Sequence, residues 1–441
     1  MQNLRSFFYS LFAIPKNTNL SREVLAGLTT FFTMSYIVIV NPMIWGAPGT
    51  GISISGALTS TVLLAFFMTF LAGLFIKLPY AIAPGMGLNV FLVYSIIIAD
   101  KIPWKIALGM VFWSGLIFLL ISIFPIRQKI IEALPTNMKH ALSCGIGLFL
   151  AFIGFKNLNL IVADPNTIVT LNKIDGKIFL GILGFLMTFF LFFRKKPYAF
   201  LFSIVSVSLL GIFFGYTKIP EHLFSFPDFK STLFQVDILG ALKWSLLPPI
   251  ISILMTNLFD SISSLIALSN TANFVDKEGN PLRLKQALIV DSLSSTFASF
   301  LGTSPGTIFI ESSTGIQAGG RTGLASIVTA FCFLPCLFIA PIVQMIPQFA
   351  TAPILIFVGI LMVQVIKNIR YESFDEIVPI FITIALMPLT FSITQGVVFG
   401  IVSYVITKIL AGKIKNISFA LWVISIVCFL SILLEKTNLL K

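Results

Sequence analysis

Apolar segments of about 20 residues follow one another along this chain, separated by short polar loops. A helix rises about 1.5 Å per residue, so each segment is long enough to cross the roughly 30 Å hydrocarbon core of a bilayer. Of the 441 residues, 57% are hydrophobic and 10% are charged, whereas a soluble domain is nearer a quarter charged. The pattern therefore predicts an all-α polytopic membrane protein.

Fourteen spans can be placed, and they divide into two sets of seven. The first set lies at 22–42, 54–77, 83–99, 104–125, 137–155, 177–193 and 197–216. The second set lies at 243–270, 282–301, 305–316, 321–345, 351–368, 375–391 and 394–411. Because seven is odd, the second set starts from the opposite side of the membrane, which predicts two inverted repeats.

The spans divide the chain into five regions. They are a cytoplasmic N-terminus without a signal peptide (1–21), the first repeat (22–216), an extracytoplasmic connecting loop (217–242), the second repeat (243–411) and an apolar C-terminal tail (412–441). The stretch 415–434 of the tail either lies along the cytoplasmic face or crosses the membrane a fifteenth time.

The distribution of basic residues predicts the orientation. With the N-terminus in the cytoplasm, the cytoplasmic loops hold more than twice as many lysines and arginines as the outer loops. The net charge of +12 is therefore assigned to these loops, and no nucleic-acid partner is expected. We expect an integral protein of a bacterial inner membrane, surrounded by lipid.

Two spans are interrupted at corresponding places in the two halves. One contains Pro84-Gly85 with Asn89 five residues after the proline, and the other contains Pro305-Gly306 with Glu311 six residues after. From Pro305 the second apolar segment covers about a dozen residues, which as a helix would span only roughly 18 Å. Paired broken segments of this kind indicate the substrate site of an inverted-repeat transporter.

Ionisable groups inside spans are costly, so they are candidates for function. The deep carboxylates are Asp260, Asp291 and Glu311, joined by the amides of Asn89 and Asn257. The polar residues of the eighth span recur at spacings of three and four, which puts them on one helix face; they are Asn257, Asp260, Ser261 and Ser264. We expect this face and the two broken segments to converge at mid-membrane.

These residue types suit an uncharged heterocycle such as a purine. A carboxylate accepts hydrogen bonds from ring N–H groups, an amide both donates and accepts, and Phe91 or Phe309 can stack on a flat ring. Each residue also has a structural interpretation: the acids and amides could satisfy exposed backbone or cap a half-helix, and the phenylalanines could belong to the core. Asp291 has few polar neighbours, so a structural role or a role in ion coupling fits it better than direct contact with the ligand.

Several motifs are absent from the sequence. It contains no Walker lysine motif, no HExxH zinc motif and no nucleophile elbow. We therefore expect no enzyme activity, no resident cofactor or metal, and no ATP-driven transport by this chain. An ion gradient is the expected energy source.

Five short motifs carry a family resemblance. They are Glu23-Val-Leu-Ala-Gly-Leu-Thr-Thr-Phe31 with Tyr36-Ile-Val-Ile-Val-Asn-Pro42, then Ala83-Pro-Gly-Met-Gly-Leu-Asn89, and then Ile310-Glu-Ser-Ser-Thr-Gly315 with Ala318-Gly-Gly-Arg-Thr-Gly-Leu324. The chain resembles the AzgA-like purine permeases, a branch of the nucleobase–cation symporter-2 family with the UraA-type fold. The resemblance covers all fourteen spans.

The resemblance implies core and gate domains, with short antiparallel strands and half-helices in spans 3 and 10. It further implies import of hypoxanthine, guanine and adenine by proton symport, with an elevator-like movement and commonly a homodimer. Asn89, Asp260 and Glu311 match functional positions of the family. The coupling candidates are Glu311, Asp260 and Asp291, and sodium is the alternative coupling ion.

Two positions depart from the family pattern. The family's eighth span usually carries two aspartates three apart, whereas here Asn257 replaces the first, and Phe309 stands where a tyrosine is common. An amide cannot carry a proton, so Asn257 implies a difference from the family either in proton coupling or in base preference.

The sequence leaves two other functions open. The same fold carries anions such as sulfate or bicarbonate, although neither broken segment holds a basic residue. The other alternative is a non-transporting membrane receptor.

Overall fold

The computed structural model describes residues 19–124, 135–272, 274–275, 281–369 and 373–437. Most of the predicted N-terminal segment 1–21 and the last four residues of the predicted tail 412–441 lie outside the described residues. Within them, eight helices are long and apolar enough to cross a membrane, and three further apolar helices are shorter. The chain is a polytopic helical membrane protein, as the apolar pattern predicted.

The first half of the described chain is helical apart from three short strands. Its helices are α1 (Leu20–Met34), α2 (Ile37–Trp45), α3 (Ile54–Phe75), α4 (Met86–Val90) continued by a π-helix (Phe91–Ala99), α5 (Trp104–Ile123), α6 (Thr136–Asn157), α7 (Gly176–Phe193) and α8 (Ala199–Phe213). Its strands are β1 (Ile82–Pro84), β2 (Ile161–Asp164) and β3 (Ile168–Leu171).

The second half repeats this order with a single strand in the described chain. Its elements are α9 (Leu247–Ala272), α10 (Leu284–Leu301), β4 (Gly306–Ile308), α11 (Ser312–Gln317), α12 (Gly323–Phe333), α13 (Ala340–Met345), α14 (Gln348–Val363), α15 (Phe374–Leu389), α16 (Ile393–Leu410) and α17 (Phe419–Thr437). The helix α17 packs against α16 and α9.

Polar residues at the loop ends start several of these helices. The side chains of Asn19, Ser53, Asp175 and Ser392 each accept a hydrogen bond from a backbone N–H group in the first turn of the helix that follows. Such caps satisfy N–H groups that have no partner within the helix.

Two spans are less regular than the sequence indicated. The first span is divided between α1 and α2 by Ser35 and Tyr36, and the eleventh is divided by a 3-10 turn, Leu334–Phe338, that contains Pro335. The proline cannot donate the hydrogen bond that a continuous helix needs. The loop after α6 forms a hairpin from β2 and β3, which the sequence did not indicate.

The helices form two bundles that pack mainly among themselves. Among the described residues, those within 20–123 and 247–345 form the core bundle, and those within 136–213 and 348–410 form the gate bundle. Each bundle therefore takes corresponding spans from both halves. This arrangement matches the core and gate domains implied by the resemblance.

Corresponding helices of the two halves touch at a pair of glycines in the gate bundle. A Cβ atom on Gly147 of α6 would lie 2.7 Å from the Gly359 carbonyl oxygen, and one on Gly359 of α14 would lie 2.5 Å from the Gly147 carbonyl oxygen. Small residues allow such close approach of helix backbones in a membrane.

Replacing Gly359 by leucine should destabilise the gate bundle. The side chain would push against the backbone of α6, and overpacking of this kind costs about 1–3 kcal/mol. The midpoint of thermal unfolding in detergent should fall for Gly359→Leu. It should stay near the wild-type value for Ile360→Ala, since Ile360 is exposed on the next position of the same helix. Equal midpoints for the two variants would contradict the close packing.

Candidate functional site

The two broken segments meet in a short antiparallel sheet inside the core bundle. Strand β1 pairs with β4, with Ile82 opposite Ile308 and Pro84 opposite Gly306. The pairing is extended at each end, because the Gly85 N–H donates to the Pro305 carbonyl and the Phe309 N–H donates to the Ala81 carbonyl, both at 2.9 Å. All residues of both strands are buried. The predicted convergence of the two segments is present.

Glu311 lies directly before the half-helix α11 and is partly exposed. Its Oε1 atom accepts a hydrogen bond of 2.9 Å from the hydroxyl of Tyr36, which lies in the interruption between α1 and α2. In the described chain, Tyr36 is the only side chain that donates to this carboxylate. The remaining acceptor sites of Glu311 are therefore available to a ligand.

Asp260 projects from α9 towards the same region. It is partly exposed, and it lies beside the side chain of Thr307 in β4. Asp291 accepts a hydrogen bond from the next residue of β4, Ile308, and Glu311 follows that strand by three residues, so the three acids flank one segment. The structure thus groups the three deep acids that the sequence singled out.

Asp291 is fully buried and connects three elements. One of its carboxylate oxygens accepts the backbone N–H of Ile308 in β4 at 3.1 Å, and the other accepts the hydroxyl of Ser261 in α9. Asp291 itself lies in α10. The residue therefore holds the strand of the second broken segment in place, beside Asp260 and without direct access to solvent.

Asn257 lies one turn before Ser261 on the same face of α9. Its amide nitrogen donates to the Ser295 hydroxyl at 2.6 Å. Its side-chain carbonyl oxygen is buried and has no hydrogen-bond partner in the described chain. The Thr256 hydroxyl is likewise buried without a partner in the described chain. An unsatisfied buried acceptor costs about 1–3 kcal/mol, so a ligand donor at this point would be favourable.

Asn89 has its oxygen occupied by the protein. The carbonyl oxygen of its side chain accepts hydrogen bonds from the Trp45 indole N–H at 3.1 Å and from the Ser304 hydroxyl. Asn89 is completely buried. It therefore ties α4 both to α2 and to the residues leading into the second broken segment, and its place in ligand binding stays a prediction.

Phe91 and Phe309 are also core residues in this structure. Phe91 begins the π-helix and is fully buried, while Phe309 follows β4 and is almost fully buried. Each lies on a broken segment, as predicted. Stacking of either ring on a ligand stays a prediction.

Glu23 and Arg321, which belong to two of the family motifs, have structural roles. The buried carboxylate of Glu23 accepts the backbone N–H groups of Arg321 and Thr322, and the Arg321 guanidinium donates to the carbonyls of Ile316 and Gly320. Arg321 thus adds a donor at the C-terminal end of α11, where Ile316 also accepts the Gly319 N–H, and Glu23 ties the loop after α11 to α1. The sequence signal was a carboxylate at the start of an apolar span.

The site is acidic. In the described chain no lysine or arginine lies within salt-bridge distance of Glu311, Asp260 or Asp291. The ion pairs there join Lys408 to Asp375 and Glu376, and Lys413 to Asp375, in and next to the gate bundle. A site with this charge suits hydrogen-bond donors rather than anions.

Two interrupted spans that pair inside a helical bundle, beside acids and amides, are typical of a transporter. The Permease family model (Xan_ur_permease) matches residues 21–399, and the chain belongs to that family. It is a transporter and not an enzyme.

Relatives of similar length cover almost the whole chain. The chain is 39% identical to the putative permease MJ0326 of Methanocaldococcus jannaschii, covering 93% of this chain and 94% of that protein. It is 39% identical to the adenine permease AdeP of Escherichia coli K12, covering 94% of this chain and 93% of that protein. It is 36% identical to the guanine/hypoxanthine permease PbuG of Bacillus subtilis 168, covering 94% of this chain and 97% of that protein.

The fold also occurs in solved transporter structures. The transmembrane domain of the cyanobacterial bicarbonate transporter BicA superposes with a TM-score of 0.65 at 17% identity, covering 88% of this chain and 98% of that domain. SLC26A9 gives a TM-score of 0.62 at 11% identity, covering 93% of this chain and 69% of that protein. These likenesses establish the shared fold.

Proposed function

We propose that this permease imports purine bases, namely hypoxanthine, guanine and adenine, by proton symport. The observation that carries the proposal is the Glu311 carboxylate, which is held through one oxygen by Tyr36 and leaves acceptor sites free beside Asp260. Relatives named as adenine and as guanine/hypoxanthine permeases support the substrate class.

The residues around Glu311 have distinct roles in the proposal. Glu311 accepts N–H groups of the base, Asp260 and Asn257 complete the recognition of its edge, and Asn89 orders the two broken segments. A base with the wrong donor pattern would leave buried groups unpaired at about 1–3 kcal/mol each, which gives selectivity. Phe91 and Phe309 would stack on the ring after a small rearrangement.

Movement of the core bundle relative to the gate bundle completes the proposed mechanism. The base and the proton bind to the core, and the core carries them past the gate in an elevator-like step. The proposal includes an inner-membrane location with the N-terminus in the cytoplasm, division of the chain at 1–21, 22–216, 217–242, 243–411 and 412–441, and a homodimer.

The fold likeness to a bicarbonate transporter raises anion transport as the alternative. An anion needs a positive partner or several N–H donors once it leaves water. Within the described residues the site presents three carboxylates and no lysine or arginine paired with them. The charge distribution therefore favours a neutral base.

Uptake into proteoliposomes separates these functions. Purified protein should accumulate labelled hypoxanthine, adenine or guanine when the lumen is made alkaline, and unlabelled bases should compete while bicarbonate and sulfate should not. Replacing sodium by potassium should leave the uptake unchanged. Accumulation that requires sodium would refute proton coupling, and accumulation of bicarbonate without any base uptake would refute the substrate class.

A further inference from the structure

Tyr36 contacts both Glu311, the carboxylate proposed to bind the substrate, and a helix of the gate bundle. Its hydroxyl lies 2.9 Å from Glu311 Oε1, and its ring centroid lies 4.8 Å from that of Phe200 in α8. Both aromatic residues are almost fully buried, with 1% and 2% of their surface exposed. One side chain thus joins the site to the boundary between the bundles.

The hydroxyl contact lies within one rigid unit. Glu311 directly precedes α11, and α11 packs tightly on α1: a Cβ atom on Gly315 would lie 2.0 Å from the Thr30 hydroxyl oxygen. The hydroxyls of Thr33 and Thr314 are hydrogen bonded at 2.9 Å as well. Any movement of the core bundle therefore carries Tyr36 and Glu311 together.

The ring contact, in contrast, crosses the boundary between the bundles. Phe200 packs against Phe192 of α7 and Phe357 of α14, with ring centroids 6.0 Å and 5.7 Å apart. These three residues all belong to the gate bundle. When the core moves relative to the gate, the contact between Tyr36 and Phe200 must separate.

We propose that Tyr36 is a positioning residue with two separable roles. Its hydroxyl fixes one oxygen of Glu311 so that the other faces the base, and its ring closes the boundary between core and gate beside the site. This inference rests on the proposed function, because it assigns Glu311 to the base.

Tyr94 provides a matched comparison at the other end of the bundle. Its hydroxyl accepts a hydrogen bond from Asn157 at 3.0 Å, and its ring lies 6.3 Å from that of Phe391. Like Tyr36, it is a buried core tyrosine that contacts a gate phenylalanine. Asn157 ends α6 whereas Phe200 lies near the start of α8, and the two helices run in the same direction, so the contacts are at opposite faces.

Three variants test the two roles: Tyr36→Phe, Phe200→Leu and Tyr94→Phe. Equilibrium binding of labelled hypoxanthine to detergent-purified protein gives the affinity, and initial uptake into proteoliposomes gives the maximal rate. An affinity does not depend on the fraction of protein that folds. Tyr36→Phe should weaken binding roughly tenfold, as expected for a lost hydrogen bond to a charged group.

The other two variants should leave the affinity within about twofold of wild type. Phe200→Leu should change the maximal rate of uptake, because the boundary between the bundles loses an aromatic contact. Equal affinities for Tyr36→Phe and Tyr94→Phe would overturn the hydroxyl role, and a wild-type rate for Phe200→Leu would overturn the ring role. Failure of the wild-type protein to bind any base would refute the proposed function instead.

Discussion

Glu311→Gln is expected to reduce hypoxanthine uptake by about 30- to 150-fold in maximal rate over KM. The glutamine oxygen can still accept from the Tyr36 hydroxyl, so its –NH₂ group would point where a ring N–H of the base is bound. Two donors then face each other, and the lost charge-assisted bond is worth about 2–3 kcal/mol. Uptake of labelled hypoxanthine into proteoliposomes measures the effect.

Glu221→Gln is the matched control for this substitution. Glu221 is exposed in the loop between the two halves, so the same chemical change there should leave uptake at the wild-type level. The amount of each variant in the membrane should be equal. Wild-type uptake by Glu311→Gln at equal abundance would remove Glu311 from the binding site.

Asp291→Asn is expected to abolish accumulation driven by a pH gradient while preserving exchange of labelled for unlabelled base. The asparagine oxygen can accept the Ile308 N–H, and its amide can donate to the Ser261 hydroxyl, so the geometry around β4 is kept. An amide cannot take up and release a proton. Accumulation and exchange should be measured on the same proteoliposomes.

Two further variants serve as controls for Asp291→Asn. Asp237→Asn changes an aspartate in the connecting loop and should behave as wild type. Asp291→Ala leaves the buried Ile308 N–H without its acceptor and removes the link between β4 and Ser261, so both accumulation and exchange should fall. Accumulation by Asp291→Asn at the wild-type level would instead assign coupling to Asp260 or Glu311.

The positions of the spans were predictable because the bilayer restricts the choices strongly. A backbone in lipid must satisfy its own hydrogen bonds, so apolar runs become helices of nearly fixed length. The predicted spans 54–77 and 104–125 correspond to Ile54–Phe75 and Trp104–Ile123. The Pro-Gly pairs indicated the broken segments for the same reason, since proline removes a donor.

The internal contacts of the site were less predictable. The break at Ser35 and Tyr36 lies in a sequence without proline or glycine, and the Tyr36 side chain there reaches Glu311, a residue 275 positions away. Likewise, the sequence identified Asn89 as a buried amide but gave no sign that Trp45 and Ser304 occupy its oxygen. Such pairings depend on how distant segments pack, which local patterns do not encode.

The pairing of β1 with β4 has a consequence for biogenesis. About 220 residues separate the two strands, and at a synthesis rate of about 5–20 residues per second the ribosome needs roughly 10–45 s to make them. During that interval Ile82–Pro84 have no strand partner, and hydrocarbon offers them none. The third span therefore cannot settle in its final place during its own translocation, and the site is assembled only after the tenth span has left the ribosome.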